Sequence, residues 1–403
     1  MKPPKISITG PLAPYISGLR SYLHGQGYTP LSANNLARVM AHLSCWLRQR
    51  RLEPNALNAR LVGQFLQYRR RAGYRHFLSG RGIEPVIDYL REEKVVPPLT
   101  QDGATSPRSE LESVLAAYTK YLVQERALTP QTIRWYTRVA SEFFDAHGNG
   151  DVSRLRSLTG RELSKFILKA VRNSNRASGG TVASALRAVL RYLFLSGIIS
   201  IDLAKSVPAV AGSRVSLPKA VSPEAVKSLL WSCDRRTHDG RRSFAVILLM
   251  VRLGLRRGEV LAMELNDIQW RQGELIVRGK GRCVERLPLP EDIGQALASY
   301  IRYSRPKVTT RKVFVRHRAP HRSLSSSGIT AIVYRACVRA KIPRVGTHRL
   351  RHTAATEMLR RGASLSEIAQ VLRHRSVETT AIYAKVDHIS LRTLVQPWPG
   401  GAR

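Results

Sequence analysis

The sequence predicts a multidomain chain: all-α helical modules first, then a mainly helical α+β domain with a small antiparallel sheet. Two observations carry that expectation. Up to about residue 208 the apolar residues recur at helical spacing, as in Leu36, Val39, Leu43 and in Val182, Leu186, Val189, Leu193. Beyond residue 222 the period changes once. Ile268 to Trp270, Leu275 to Val277 and Arg286 to Leu289 read as short strands, separated by Arg271-Gln272-Gly273 and Gly279-Lys280-Gly281, and helical spacing returns from Ser327.

Two Pro-, Gly- and Ser-rich stretches without apolar periodicity divide the chain. The expected organisation is an additional helical domain over 1–95 that makes further DNA contacts or protein contacts, a linker over 96–108, a helical domain over 109–208, a linker over 209–221, and an α+β domain with a C-terminal tail over 222–403. The first two blocks share a faint repeat. Tyr22-Leu23 and Thr29-Pro30 in one match Tyr121-Leu122 and Thr129-Pro130 in the other, each followed by a helical pattern: Leu36, Val39, Leu43 against Tyr136, Val139, Phe143. In both, Thr suits the N-cap and Pro the first helical position, where its missing N–H costs nothing. Arg38 and Arg138 stand at matching places, and a duplicated module competes here with chance likeness between two helices. A later helix is expected over Ser178 to Ser196.

In the third block Ser222-Pro223 starts a helix reaching about Cys233, and a very apolar helix over Phe244 to Leu253 runs into Gly254-Leu255-Arg256-Arg257-Gly258-Glu259. Towards the end, Thr347 opens a helix on which His348 and Arg351, at i and i+3, share one face, with Leu350 and Ala354 packed behind. Ser364 and Glu367 form a capping box for a helix whose core face is Leu365, Ile368 and Leu372.

Charge bounds the partner. The 403 residues hold 66 Lys and Arg against 28 Asp and Glu, a formal +38 with a pI near 11.2. Cations in that excess repel one another unless a polyanion neutralises them, so nucleic acid is the expected partner. With 43% hydrophobic residues the chain can build real cores and is not a basic disordered tail. Cys45, Cys233, Cys283 and Cys337 lie far apart with no CxxC, which speaks against a zinc site or a disulfide framework and fits a reducing cytoplasm. The first residues lack an apolar signal core, and the longest apolar run, Phe244 to Val251, is too short for a bilayer. The expectation is a cytoplasmic, nucleoid-associated protein without a membrane partner.

The third block also carries a resemblance. GLRRGEVLAMELNDI (Gly254 to Ile268), RGKGRCVERLPL (Arg278 to Leu289), THRLRHTAAT (Thr347 to Thr356), LRHRS (Leu372 to Ser376) and AIYAKV (Ala381 to Val386) resemble, in order and spacing, the successive signatures of the tyrosine recombinase, or phage integrase, family. The second block is similar to that family's SAM-like core-binding module. The resemblance implies a catalytic set: Arg256 as first arginine, Lys280 as hairpin lysine, His348 and Arg351 as the HxxR pair, His374 as second histidine and Tyr383 as nucleophile. It implies no cofactor and no metal. The chain departs from the pattern at Arg373, which stands where Gly commonly precedes the histidine. A left-handed conformation there would cost a non-glycine residue about 1 kcal/mol, so a different local geometry is the expectation.

The chemistry asks for such residues independently. Phosphoryl transfer spreads negative charge over non-bridging oxygens, which fixed guanidiniums stabilise without a metal. Tyrosine has a pKa of about 10, so only ~0.1% is phenolate at pH 7 and a base or cationic neighbours are needed. A leaving alkoxide needs an acid; Lys280 on a Gly-flanked hairpin fits that role, leaving His348 as proton acceptor. Arg134 and Arg187 are candidate DNA contacts on the second block.

The expected activity is therefore site-specific cutting and rejoining of double-stranded DNA through a 3′-phosphotyrosyl intermediate, without metal or ATP, in mobile-element integration, excision or transposition. The resemblance implies a homo-tetramer on two duplexes, to which accessory recombination proteins could add. Other readings are a non-catalytic DNA-binding relative and a topoisomerase-like relaxing enzyme. A metal nuclease would need clustered carboxylates, and Asp267, Glu285, Glu357 and Asp387 form no cluster in the sequence. Ile389, Leu391, Leu394 and Val395 give the tail a short apolar pattern, suited to docking on a neighbour or on its own domain.

Overall fold

The computed structural model describes residues 8–97, 110–126, 128–148, 151–173, 179–209, 220–279 and 284–373. Both expected linkers fall largely outside these residues. The chain forms two compact units: the first and third blocks together, and the second block by itself.

The first block holds α1 (Ile16–Gly25), α2 (Pro30–Gln49), α3 (Ala59–Arg71) and α4 (Gly80–Glu92). Thr29 caps α2 as its Thr-Pro signal predicts, accepting from Ser32 N at 3.3 Å, with Pro30 at the first position. Leu36, Val39, Met40, Leu43 and Leu47 turn inward from α2 and meet Leu19 and Leu23 of α1, Phe65 of α3, and Ile83, Val86 and Leu90 of α4. Each such buried side chain stabilises the fold by about 1.5–3 kcal/mol.

The second block repeats the plan with α5 (Glu110–Gln124), α6 (Pro130–His147), α7 (Gly160–Asn173) and α8 (Gly179–Leu195). Thr129 caps α6, accepting from Thr132 N at 3.4 Å, and Tyr118, Leu122, Phe143, Leu163, Leu186, Val189 and Leu193 make the core.

The third block opens with α9 (Pro223–Trp231), capped by Ser222, followed by α10 (His238–Arg252), α11 (Arg257–Ala262), β1 (Ile268–Gln269), β2 (Glu274–Arg278), β3 (Val284–Pro288), α12 (Glu291–Tyr303), α13 (Ser326–Arg339), α14 (Thr347–Arg360) and α15 (Leu365–Leu372). Helix α10 begins six residues before the apolar run suggested. Thr237 caps it through Gly240 N at 3.1 Å, and its polar first turn disguises the start. From Ala245 to Val251 it is buried on every side and forms the axis of the core, with α12, α13 and α14 around it. The sheet is antiparallel in the order β1-β2-β3, with Ile268 opposite Leu275 and Arg278 opposite Val284. Among the described residues no helix is long and apolar enough to cross a membrane. Cys45, Cys233 and Cys337 are free thiols, and Cys283 lies outside the described residues.

Candidate active site

Three segments distant in the sequence meet at one place: the turn from Gly254 into α11, the first half of α14, and the turn that ends α15. Arg256 sits at the N-cap of α11 with extended backbone. Its backbone N donates to Glu259 Oε2 at 2.7 Å and its Nη1 to Glu259 Oε1 at 2.8 Å, so the carboxylate fixes both the helix start and the guanidinium. Nη2 of Arg256 reaches the carbonyl of Arg373 at 3.1 Å. A guanidinium has five N–H donors, and the outer part of the Arg256 side chain is partly open, 37% exposed, so it keeps capacity for an anion.

Arg351 lies in the same place but is buried. Its Nη1 donates to Gly254 O at 2.6 Å and its Nη2 to Leu372 O. Both arginines thus hydrogen-bond to the backbone of Leu372 and Arg373, just ahead of His374. The close approach depends on Gly254, whose φ of +60° is left-handed and where an added Cβ would lie 2.3 Å from Leu372 Cδ2.

Contrary to the expectation of a different local geometry, Arg373 takes up the left-handed conformation despite not being Gly, with φ 56° and ψ 52°. Its side chain turns inward, and Nη2 donates to Glu259 Oε2 at 2.7 Å with both partners buried. Burial alone would raise the Glu259 carboxyl. The Arg373 guanidinium and the hydrogen bonds from Arg256 and Arg373 outweigh it and hold the group below the usual carboxylate range.

His348 stands in the first turn of α14, one turn before Arg351, as the i, i+3 spacing predicts. Desolvation lowers its pKa below the ordinary value, and the cations Arg257, Arg351 and Arg256 lower it further. The imidazole is therefore neutral at neutral pH and able to accept a proton. His352, one turn further along, is lowered in the same direction by burial, His348 and Arg351. Arg257 is steadied by Thr330 Oγ1 at 3.2 Å. Leu350 and Ala354 pack behind, and the Ser364–Glu367 capping box forms as expected.

Lys280, His374 and Tyr383 lie outside the described residues. Strands β2 and β3, which flank the stretch containing Lys280, are secured where Arg278 Nη2 donates to the buried Asp267 Oδ1 at 2.6 Å. On the second block Arg134 is exposed on α6. Arg187 instead turns its Nη2 onto the carbonyls of Val207 and Pro208, at 3.1 and 3.3 Å, and steadies the end of that block. The pairing of the Glu259 and Arg373 side chains was not anticipated from the sequence. Glu259 three residues after Arg256 at a helix start was a readable signal; the inward turn of Arg373 had none. Among the described residues no group of three or more His, Cys, Asp or Glu is placed to hold a metal ion.

Comparison with known proteins gives the lineage. Residues 219–388 match the model of the phage integrase family, and 115–197 match that of the phage integrase N-terminal SAM-like domain. The integrase/recombinase y4rA of Sinorhizobium fredii is 40% identical over 98% of this chain and 96% of its own length. The chain belongs to the phage integrase family. It is a tyrosine recombinase, an enzyme that cleaves and rejoins DNA strands. Within the family it is also similar to the tyrosine recombinase XerC of Oceanobacillus iheyensis, 28% identical over 70% of this chain and 94% of that one. The integrase fold is shared with XerH site-specific recombinase bound to palindromic difH substrate (TM-score 0.56, 20% identity, 70% of this chain and 83% of that one). It is shared too with a lambda integrase dimer bound to a COC′ core site (TM-score 0.54, 17% identity, 80% and 89%).

Proposed function

We propose that this tyrosine recombinase is a site-specific enzyme of a mobile element, acting in integration, excision or transposition through a 3′-phosphotyrosyl intermediate at Tyr383. Residues 1–95 are its additional module, 109–208 its core-binding domain and 222–403 its catalytic domain. Arg256 and Arg351 hold the non-bridging oxygens of the scissile phosphate. The Tyr383 hydroxyl attacks phosphorus while His348 takes the phenolic proton. The bond from phosphorus to the 5′-oxygen breaks, and Lys280 protonates the departing oxygen. His374 donates a hydrogen bond to the phosphate. A 5′-hydroxyl from a partner duplex then attacks the phosphotyrosine, releases Tyr383 and reseals the strand. One phosphoester replaces another at each step, so the reaction balances without ATP or a metal.

The observation that supports this most is the convergence of Arg256 and Arg351, 95 residues apart, on the backbone just ahead of His374 and shortly before Tyr383. Exchange between two duplexes calls for a tetramer, the state named for a lambda integrase bound to a Holliday junction. A mobile-element role is in keeping with the likeness to the Tn1549 transposon integrase (TM-score 0.53, 14% identity). Arg134 contacts the DNA backbone from the core-binding domain, while Arg187 positions the chain that leaves it.

The test is a nicked suicide substrate carrying candidate sites, incubated with the protein in EDTA. A covalent adduct at Tyr383 is expected, absent from Tyr383→Phe. Strand exchange by the Tyr383→Phe variant would end this reading.

A further inference from the structure

Two roles of Glu259 conflict. Its carboxylate fixes the start of α11 by accepting from the backbone N of Arg256 at 2.7 Å, and it holds the Arg256 guanidinium at 2.8 Å. The second contact sets a negative charge against the guanidinium that is needed for phosphate. The Glu259 side chain is only 3% exposed and its carboxyl is held below the usual carboxylate range, so the charge is present and little water screens it. By itself the Arg256–Glu259 pair is neutral, and an anion approaching Arg256 meets the carboxylate behind it.

Arg373 removes the conflict. Its Nη2 donates to Glu259 Oε2 at 2.7 Å, with 4% of its side chain exposed. Oε1 of the carboxylate faces the Arg256 side chain, while Oε2 faces Arg373 and the Arg256 backbone. Two guanidiniums against one carboxylate leave a net positive charge where the pair alone has none.

The placement of Arg373 is not what the turn itself requires. Its Nη1 donates to Val371 O at 2.7 Å and its carbonyl accepts from Arg256 Nη2 at 3.1 Å, but its Nε is buried with no partner among the described residues. A left-handed backbone and an unpaired buried N–H are both unfavourable, and glycine would close the same turn with neither. What arginine adds over glycine is a cation beside Glu259.

The reaction calls for that cation. A phosphodiester carries one negative charge. Once His348 has taken the phenolic proton and the Tyr383 oxygen adds, the five-coordinate phosphorus group carries two, until Lys280 protonates the departing 5′-oxygen. A guanidinium already neutralised by its own carboxylate stabilises that rise least.

We propose that Arg373 is a positioning residue for strand cleavage, which by neutralising Glu259 leaves the Arg256 guanidinium free to stabilise the doubly charged phosphorus group. This rests on the recombinase reading for the identity of the reaction, and adds to it a residue at a place where the family commonly has glycine.

The test measures single-turnover adduct formation by the full chain on a nicked suicide substrate over a range of DNA concentrations, at a temperature where circular dichroism shows every variant folded. Arg373→Met keeps a long unbranched side chain and a non-glycine backbone but loses the charge. Its maximal rate should fall roughly ten- to a hundredfold, short of the 10²–10³ for losing a direct donor, while the DNA concentration giving half that rate shifts less than about threefold. Arg373→Lys, with the charge kept, should cleave faster than Arg373→Met. Adding Glu259→Gln to Arg373→Met removes the negative charge and keeps a carbonyl oxygen for Arg256, so the double variant should recover most of the loss. A methylphosphonate at the scissile position carries one negative charge fewer, and on it Arg373→Met should slow cleavage less than about threefold. A purely structural defect would instead slow both substrates alike and would not be relieved by Glu259→Gln. Either of those results, or equal rates for the parent and Arg373→Met, overturns the inference while leaving the recombinase reading in place. A parent that forms no adduct overturns both.

Discussion

Arg373 and Glu259 form a buried ion pair, Nη2 to Oε2 at 2.7 Å, between a turn and a helix separated by 114 residues. The same carboxylate holds Arg256, so one anion couples two cations, and the backbone of Arg373 closes the loop by accepting from Arg256. The position is a contest between a backbone that would prefer Gly and a side chain that its surroundings require.

Arg373→Gly tests which effect wins. Releasing the left-handed strain should return about 1 kcal/mol, while removing a buried partner costs about 3–5 kcal/mol, towards the low end here because Glu259 keeps Arg256. The expected outcome in chemical denaturation is a net loss of about 2 kcal/mol, with part of it recovered by adding Glu259→Gln. A stabilised Arg373→Gly would mean that backbone strain outweighs the pair.

Gly254→Ala should be costlier. Ala at a φ of +60° is strained, and its methyl would press on Leu372 at the carbonyl that Arg351 grips. A loss of about 2–4 kcal/mol is expected from strain and overpacking together. Strand cleavage on a suicide substrate should fall at least tenfold, because Gly254 O would shift from Arg351. Unchanged cleavage would show that the guanidinium does not need this turn.

His348 should titrate below pH 6.5 in the free enzyme when followed by NMR of its ring protons, since burial and three neighbouring guanidiniums disfavour the imidazolium. Arg257→Gln removes one of those charges and should move the titration upward. A base that must be neutral loses activity as pH falls through its pKa, so the acid limb of cleavage should move upward in the same variant. A titration that stays in place would remove Arg257 from the electrostatics of this histidine.

What could be read from the sequence was local chemistry. Thr-Pro and Ser-Pro at helix starts, Ser364 with Glu367, and His348 with Arg351 each involve neighbours along one helix, so spacing alone fixes their geometry. The left-handed turn at Arg373 was not legible in this way, since the residue type argued for a different geometry. Nor were the partners of its side chain: whether an arginine there faces water or a buried carboxylate depends on how α11 and α15 pack. Asp88 and Arg322, 234 residues apart, are a similar case. Helix α10 shows the local limit. Its apolar run marks the buried part of the helix, while the first polar turn carries no periodic signal.

Away from the site, His317 should make the fold sensitive to acid. Its ring stacks on Tyr300, faces His238 edge-on and lies with Nδ1 3.0 Å from Asp239 Oδ1, while Arg242 crosses beside it to reach Val315 O. Burial, then the Arg242 charge, lowers its pKa to about 4, and Asp239 offsets only part of this. The sign follows from the unfolded chain, where a free histidine titrates near 6.5. Between these values the unfolded state binds the proton and the folded state does not. The contribution is whole above pH 6.5 and is lost as pH falls towards 4. At about 1.4 kcal/mol per pH unit the loss reaches up to about 3 kcal/mol. Denaturation midpoints measured from pH 7 to pH 4 should therefore fall less steeply for His317→Gln than for the parent. Parallel curves would show that the ring gains its proton within the fold.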